Sequence, residues 1–412
     1  MTLLDRTGPT PVVAEAVQRP VQAASPLALY YLLIGSATAL LCIGLVMVLS
    51  ASSVMSYART GSLFTIAGRQ LSWTLVGLVL LVVGAALPVR TLRRLTYPLL
   101  AVSGVSLLGV LVPGIGSVQF GARRWIALPG GQFQPSELAK LALVLWGADL
   151  LVRKTKMLHR PKHLLVPLLP VGLVMAALIL LEPDMGTMMV LCAALFALLV
   201  VAGAPRRIVL YLSAAGAGSV AALAVAAPYR LARLTSFVNP FADASNTGYQ
   251  AVQGLYALSG GGWFGVGLGA SRQKWGALPN AYTDYIFAIL GEELGLVGTL
   301  TILAVLAVFG YASLRLAIRA LSSYDQLLAT GIVAWILAQA ILNIGAVTSV
   351  LPITGIPLPL ISYGGSSLAI TLFAIGLLVG VARRDPDIAA AFAVRRGHNA
   401  SRSRFPFRRS RS

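Results

Sequence analysis

The run Ala28-Leu29-Tyr30-Tyr31-Leu32-Leu33-Ile34-Gly35-Ser36-Ala37-Thr38-Ala39-Leu40-Leu41-Cys42-Ile43-Gly44-Leu45-Val46-Met47-Val48-Leu49-Ser50 contains no charged side chain. A membrane-spanning helix needs roughly 20 mostly apolar residues, and this stretch supplies them. Nine further runs follow, at about 71–88, 96–114, 136–152, 164–181, 187–203, 206–227, 285–314, 326–349 and 366–382. The fourth is the weakest, because Ser136, Glu137, Lys140 and Asp149 interrupt it. The pattern predicts an all-α polytopic membrane protein with ten transmembrane helices. A tail (1–27) precedes a membrane domain (28–384), and a basic tail (385–412) follows. No fixed-period repeat and no cleavable signal peptide is visible.

Composition agrees with that class. The chain has 412 residues, 57% of them hydrophobic and 11% charged, with a mean hydropathy of +0.83. A soluble domain carries about 25% charged residues, so too little polar surface remains here to coat a water-soluble globule. Two cysteines exclude a disulfide-stapled secreted domain.

The net charge of +19 is unevenly placed. With a cytoplasmic N-terminus, inner segments hold 23 of the 32 Lys/Arg residues and outer segments hold eight, with Lys140 inside a span. That bias predicts both termini inside. The arginines from Arg383 to Arg411 form a tail suited to anionic lipid rather than to nucleic acid. The longest loop, about 228–284, is then outside. The Pro/Gly-rich stretch 350–365 is also outer and apolar enough to re-enter the membrane, where protein or a wet cavity must cover it.

On this topology only Glu182, Asp184, Asp243 and Asp284 reach the outer face. All three histidines are cytoplasmic and both cysteines lie in spans. Outer-face catalysis therefore needs a carboxylate base rather than a His-based triad or a His/Cys zinc site. Asp284 stands where the loop becomes the eighth span, just after Ser271, Arg272, Gln273 and Lys274. Capping of that helix by Thr283 or Asp284 is the alternative, and Asp243 reads as a turn residue.

Intramembrane charges are costly, which marks them as functional candidates. Glu137 and Lys140, three residues apart, share a helix face as an ion pair. Glu292 and Glu293 lie about two turns below Asp284. Arg123 and Arg124, ahead of Trp125, could bind a phosphate through planar forks or anchor the loop among headgroups. The glycines at 260–262, 265, 267 and 269 lack the strand–turn–helix context of a nucleotide loop and predict a close-packed turn.

Several stretches together resemble one family, the SEDS proteins of bacterial shape, elongation, division and sporulation. They include Gly121–Ile126, Gln134–Lys140, Pro183–Thr187, Gly265–Lys274, Leu278–Phe287, Gly291–Gly295 and Leu358–Ser366, in the family order from about residue 28 to 384. The chain is more similar to division members than to elongation members, and its Ala/Arg-rich composition suggests an actinobacterial source. The resemblance implies a SEDS-type fold in the cytoplasmic membrane at the division septum. It also implies a peptidoglycan glycosyltransferase that polymerises lipid II at the outer face, inverting at the MurNAc anomeric carbon and releasing undecaprenyl diphosphate. The family's catalytic Asp falls on Asp284 and its Glu/Lys pair on Glu137 and Lys140.

Expected diphosphate-binding residues are Arg123, Arg124, Ser271, Gln273 and Lys274, with Asp184 and Glu292 in support. No cofactor is expected to be obligatory, although Mg²⁺ or Mn²⁺ could share the charge compensation. The expected partners are a class B penicillin-binding protein and other division membrane proteins. A flippase for the same lipid and a noncatalytic division scaffold are the alternative functions.

Overall fold

The computed structural model describes residues 26–119, 122–128, 131–158, 160–225, 237, 239–246 and 248–402. The N-terminal tail up to residue 25, the end of the basic tail from 403, and residues 226–236 of the long outer loop lie outside the described residues.

Each of the ten apolar runs forms helix. In order the helices are Pro26–Thr60, Thr65–Ala86, Val89–Leu111, Pro135–Arg153, Leu168–Leu181 (after a short turn Pro161–Leu165), Met185–Val201, Arg206–Val225, Ile286–Arg319, Ser323–Val347 and Ser366–Arg384. Among the described residues, seven helices are long and apolar enough to cross a membrane. Several helices outrun the apolar stretch that predicted them. The third starts at Val89 rather than about 96, because Arg90, Arg93 and Arg94 in its first turns belong to a helix end rather than to its lipid-facing length. At the other end it stops at Leu111, since Pro113 cannot continue it.

Helix packing depends on close backbone approach. Helices Thr65–Ala86 and Ser366–Arg384 run tightly together: a Cβ on Gly84 would sit 2.8 Å from the Phe373 carbonyl oxygen, and one on Gly376 2.2 Å from that of Leu81. Small residues of this kind let helices meet where hydrophobicity gives no drive to associate. Between the third and fourth helices a three-stranded antiparallel sheet forms, ordered β1 (Gly116–Gln119), β2 (Ala122–Leu128), β3 (Gly131–Phe133). Ser117 pairs with Trp125 and Ile126 with Phe133, and a bulge follows Ser117.

The expected outer loop has internal structure. A helix, Tyr249–Gly260, packs against Ile286–Arg319, followed by a return through a turn at Gln273–Trp275. The chain past Arg384 is not a bare tail at its start: helix Pro386–Arg402 buries Ile388 and sets the Phe392 ring 5.1 Å from Tyr30. Arg319 ties it down through Asp385 and Asp387.

Candidate functional site at the head of helix Ile286–Arg319

Asp284 directly precedes helix Ile286–Arg319 and is 8% exposed. The N-cap position of that helix is Tyr285, whose side chain makes no capping hydrogen bond. The Thr283 hydroxyl donates to Asp284 Oδ1 at 3.0 Å. Its backbone is pinned from a second helix. Asn343 Nδ2 donates to the Asp284 carbonyl (2.7 Å) and to the Ile356 carbonyl (2.8 Å), joining the loop head to the 350–365 stretch.

That stretch lies across the site. Gly355, at φ +70°, faces the carboxylate, and a Cβ there would be 3.9 Å from Asp284 Oδ2. Tyr363 N–H donates to the Tyr282 carbonyl (3.0 Å), and the two rings meet edge-on at 5.7 Å. Gln70, beside the exposed Arg69, donates to the Ser362 carbonyl and accepts from Gly364 N–H, which fixes the stretch to the second helix. Burial pushes the Tyr363 hydroxyl pKa above its usual value, while Arg69 opposes the shift.

The intramembrane pair feeds the same stretch. Lys140 Nζ lies 2.8 Å from Glu137 Oε1 and 2.8 Å from Gln339 Oε1, and 4.9 Å from the Trp335 ring centre. Gln339 Nε2 then donates to the Pro357 carbonyl at 2.9 Å. A buried ion pair needs such further hydrogen bonds to offset its desolvation, and here they end on the backbone that covers Asp284.

Glu292 and Glu293 organise the loop before the site. The Glu292 carboxylate accepts from Ser271 Oγ (2.5 Å), Arg272 N–H (3.0 Å) and Gln273 N–H (3.4 Å). Glu293 accepts from Ser50 Oγ at 2.6 and 2.7 Å and pairs with Lys274 Nζ at 3.1 Å. Lys274 also reaches the Gly269 carbonyl at 2.5 Å. Its amine therefore faces inward, and among the described residues of this loop Arg272 is the exposed cation.

Arg123 and Arg124 are likewise engaged within the protein. Arg123 donates to the Leu111 carbonyl at 3.2 Å. Arg124 Nε donates to the Glu182 carbonyl at 3.0 Å, its Nη2 to the Pro183 carbonyl, and its Nη1 lies 3.9 Å from Asp184 Oδ2. Asp184 is the cap of helix Met185–Val201, accepting from Thr187 N–H (3.0 Å) and Oγ1 (2.8 Å). Glu182 in this turn is fully buried, both carboxyl oxygens lacking a hydrogen-bond partner among the described residues. Burial, then the Asp184 charge, push its pKa up to about 9 against the pull of Arg124.

The structure thus brings to Asp284 two residues the sequence reading did not single out, Asn343 and Gly355, and ties Gln339 and Tyr363 to the segments around it, with Arg69 acting on Tyr363. Gln339 and Asn343 carried a legible signal, two amides four apart on one face of an apolar helix.

Residues 30–386 match the FtsW/RodA/SpoVE family, described as cell cycle protein. The chain belongs to this family. It is FtsW-like and of actinobacterial type: it is 43% identical over 402 residues to the "Probable peptidoglycan glycosyltransferase FtsW" of Mycobacterium tuberculosis, covering 96% of this chain and 77% of that one. It is 40% identical to the stage V sporulation protein E of Bacillus subtilis, covering 84% of this chain and 94% of that one. Among solved structures it is similar to a chain of a peptidoglycan synthase complex that coordinates polymerization and crosslinking, with TM-score 0.71, 30% identity, and coverage of 86% and 97%. The rod shape determining protein RodA of Thermus thermophilus matches with TM-score 0.64, 28% identity and coverage of 86% and 97%.

Proposed function

We propose that this protein is a peptidoglycan glycosyltransferase of cell division, polymerising lipid II at the outer face of the cytoplasmic membrane. The names of its relatives and its likeness to a peptidoglycan synthase complex support the reading. The observation that carries the chemistry is the placement of Asp284 at the head of a helix, its carboxylate accepting from Thr283, facing Gly355, and its backbone held by Asn343. A sugar hydroxyl is a weak nucleophile, and a positioned carboxylate base contributes about 10²–10⁴-fold. Asp284 takes the proton of the acceptor's 4-hydroxyl as that oxygen attacks the donor MurNAc C1. The C1–O bond to the diphosphate breaks with inversion, and undecaprenyl diphosphate leaves with the bonding pair.

The departing diphosphate needs cationic compensation. Arg124 and Lys274 contribute through their field, since the donors described for them hold protein carbonyls and carboxylates; Arg123 donates Nη1 to the Leu111 carbonyl while its buried Nε has no partner among the described residues, and Ser271 and Gln273 shape the loop that carries Lys274. Arg69 and Arg272, exposed among the described residues, can meet phosphate oxygens directly. Among the described residues no three His, Cys, Asp or Glu side chains gather as a metal cage. Mg²⁺ binds through one or two carboxylates plus substrate phosphates, so a diphosphate-borne Mg²⁺ or Mn²⁺ would ask little of the protein beyond a single carboxylate.

The topology proposed is ten spans with both termini cytoplasmic. Helix Pro135–Arg153 is counted because Glu137 with Lys140, and Asp149 with Arg153, neutralise its charges internally. The proposed partner is a class B penicillin-binding protein that crosslinks the strands. The test is glycan-strand formation from purified lipid II with that partner, its crosslinking site blocked. Wild type should polymerise and Asp284→Ala should lose at least about 100-fold. Equal polymer from both would move the base elsewhere. Lipid II crossing vesicles without polymer would favour a flippase.

A further inference from the structure

A cavity of about 520 Å³ opens at the end of the bundle opposite Asp284, lined by Val89, Arg90, Arg93, Arg94, Tyr97 and Arg153. Four arginines converge on it with one carboxylate beside them. Asp149, fully buried, pairs with Arg93 (2.5 Å) and with Arg153 (2.7 Å). Among the described residues Arg90 and Arg94 have no ion pair, and both are exposed. The cavity therefore carries a surplus of three positive charges.

The backbone adds to that surplus. Arg90, Arg93 and Arg94 sit in the first turns of helix Val89–Leu111, which has no acidic residue in its first turn and no side-chain cap. This is the positive end of the helix dipole, where anions are stabilised and cations are not. An insertion bias alone asks only for basic residues on one side of the membrane. It does not ask them to converge on one hollow, where they repel each other.

We propose that this cavity binds the phosphate of an anionic phospholipid from the adjoining leaflet, which the Lys/Arg bias makes the cytoplasmic one. Arginine forks match phosphate oxygens two at a time. The lipid, rather than a soluble phosphate, is indicated by what flanks the basic end. Val82 and Val83 on the preceding helix, and Leu95 on the same helix, are exposed apolar side chains where acyl chains would lie. Basic hollows between helices at the cytoplasmic face suit such headgroups.

The test uses the full chain in detergent, with dioleoylphosphatidylglycerol, dioleoylphosphatidylcholine or sodium phosphate added. Native mass spectrometry counts bound lipid and thermal unfolding reports stabilisation, because a ligand of the folded state raises Tm. Phosphatidylglycerol should bind and raise Tm, and the other two should not. Arg90→Gln/Arg94→Gln should weaken phosphatidylglycerol binding by about 30-fold, from about 1 kcal/mol per charge. Arg90→Lys/Arg94→Lys, which keeps the charge, should retain most of the binding and guards against a folding defect. Equal binding by wild type and the Gln pair would overturn the proposal. So would an equal Tm shift from sodium phosphate, which would make the ligand a free anion, or from phosphatidylcholine.

Discussion

At Asp284 the carboxylate and the backbone are positioned from different directions, by Thr283 in its own loop and by Asn343 from a helix far away in sequence. Glu137 and Lys140 act one step further out, through Gln339 and the Pro357 carbonyl. Removing one member of such a buried pair leaves a charge uncompensated and costs about 3–5 kcal/mol. Glu137→Ala should therefore lower both Tm and polymer yield. Glu137→Gln, which can still accept from Lys140, should lose less, and equal losses would mean that the negative charge rather than the acceptor is what the pair needs. Glu182 predicts a pH effect with a definite sign. Its carboxyl titrates near 4.5 when unfolded and about 9 when folded, so the folded state holds the proton more tightly. Stability from this residue is complete below about pH 4.5 and is lost as pH rises through 9. Between pH 6 and pH 9 wild type should lose more Tm than Glu182→Gln; parallel curves would place the carboxyl's titration elsewhere.

Among elements, helix Ile286–Arg319 is the one that departs from a plain span. At Gly295 (φ +69°, ψ −165°) the helix breaks, about 14 Å from its first residue at 1.5 Å per residue. The freed backbone groups are taken up by the loop below Gly260. Val266 N–H and Gly267 N–H donate to the Glu292 and Glu293 carbonyls (2.9 and 3.1 Å), and Leu296 and Val297 N–H donate to Gly262 and Trp263. In a membrane every backbone polar group needs such a partner, and irregular chain survives there only against protein. A Cβ at Gly295 would lie 2.3 Å from Gly265 N, at a positive φ that L side chains resist. Gly295→Ala should unseat the loop, lower Tm and weaken the Lys274–Glu293 contact. Unimpaired stability and polymerisation would show that the break is incidental.

For the whole molecule, the proposed topology of ten spans with both ends inside sets a testable pattern of accessibility. In a background with Cys42 and Cys192 replaced by serine, Thr155→Cys and Ser322→Cys should react only with membrane-permeant thiol reagents in intact cells. Ser62→Cys and Ser245→Cys should also react with impermeant ones. A reversed pattern would invert the topology and move Asp284 away from the lipid II polymer.

The sequence by itself determined the class, the number of apolar runs, their charge bias and the residue at the head of the eighth run. These are readable because burying a 20-residue backbone in hydrocarbon dictates local composition, and because acids and bases in lipid are rare enough to stand out. Only the tertiary structure decided which cations are spoken for. Lys274, Arg123 and Arg124 look alike in one dimension to exposed Arg69 and Arg272, yet their partners Glu293, Leu111 and Glu182 arrive from other helices. The same holds for Asn343 and Gln339, whose amides join segments that meet only when the bundle closes. A partner supplied by a distant helix leaves no local periodicity, so the supports of Asp284 became visible only once the fold brought them together.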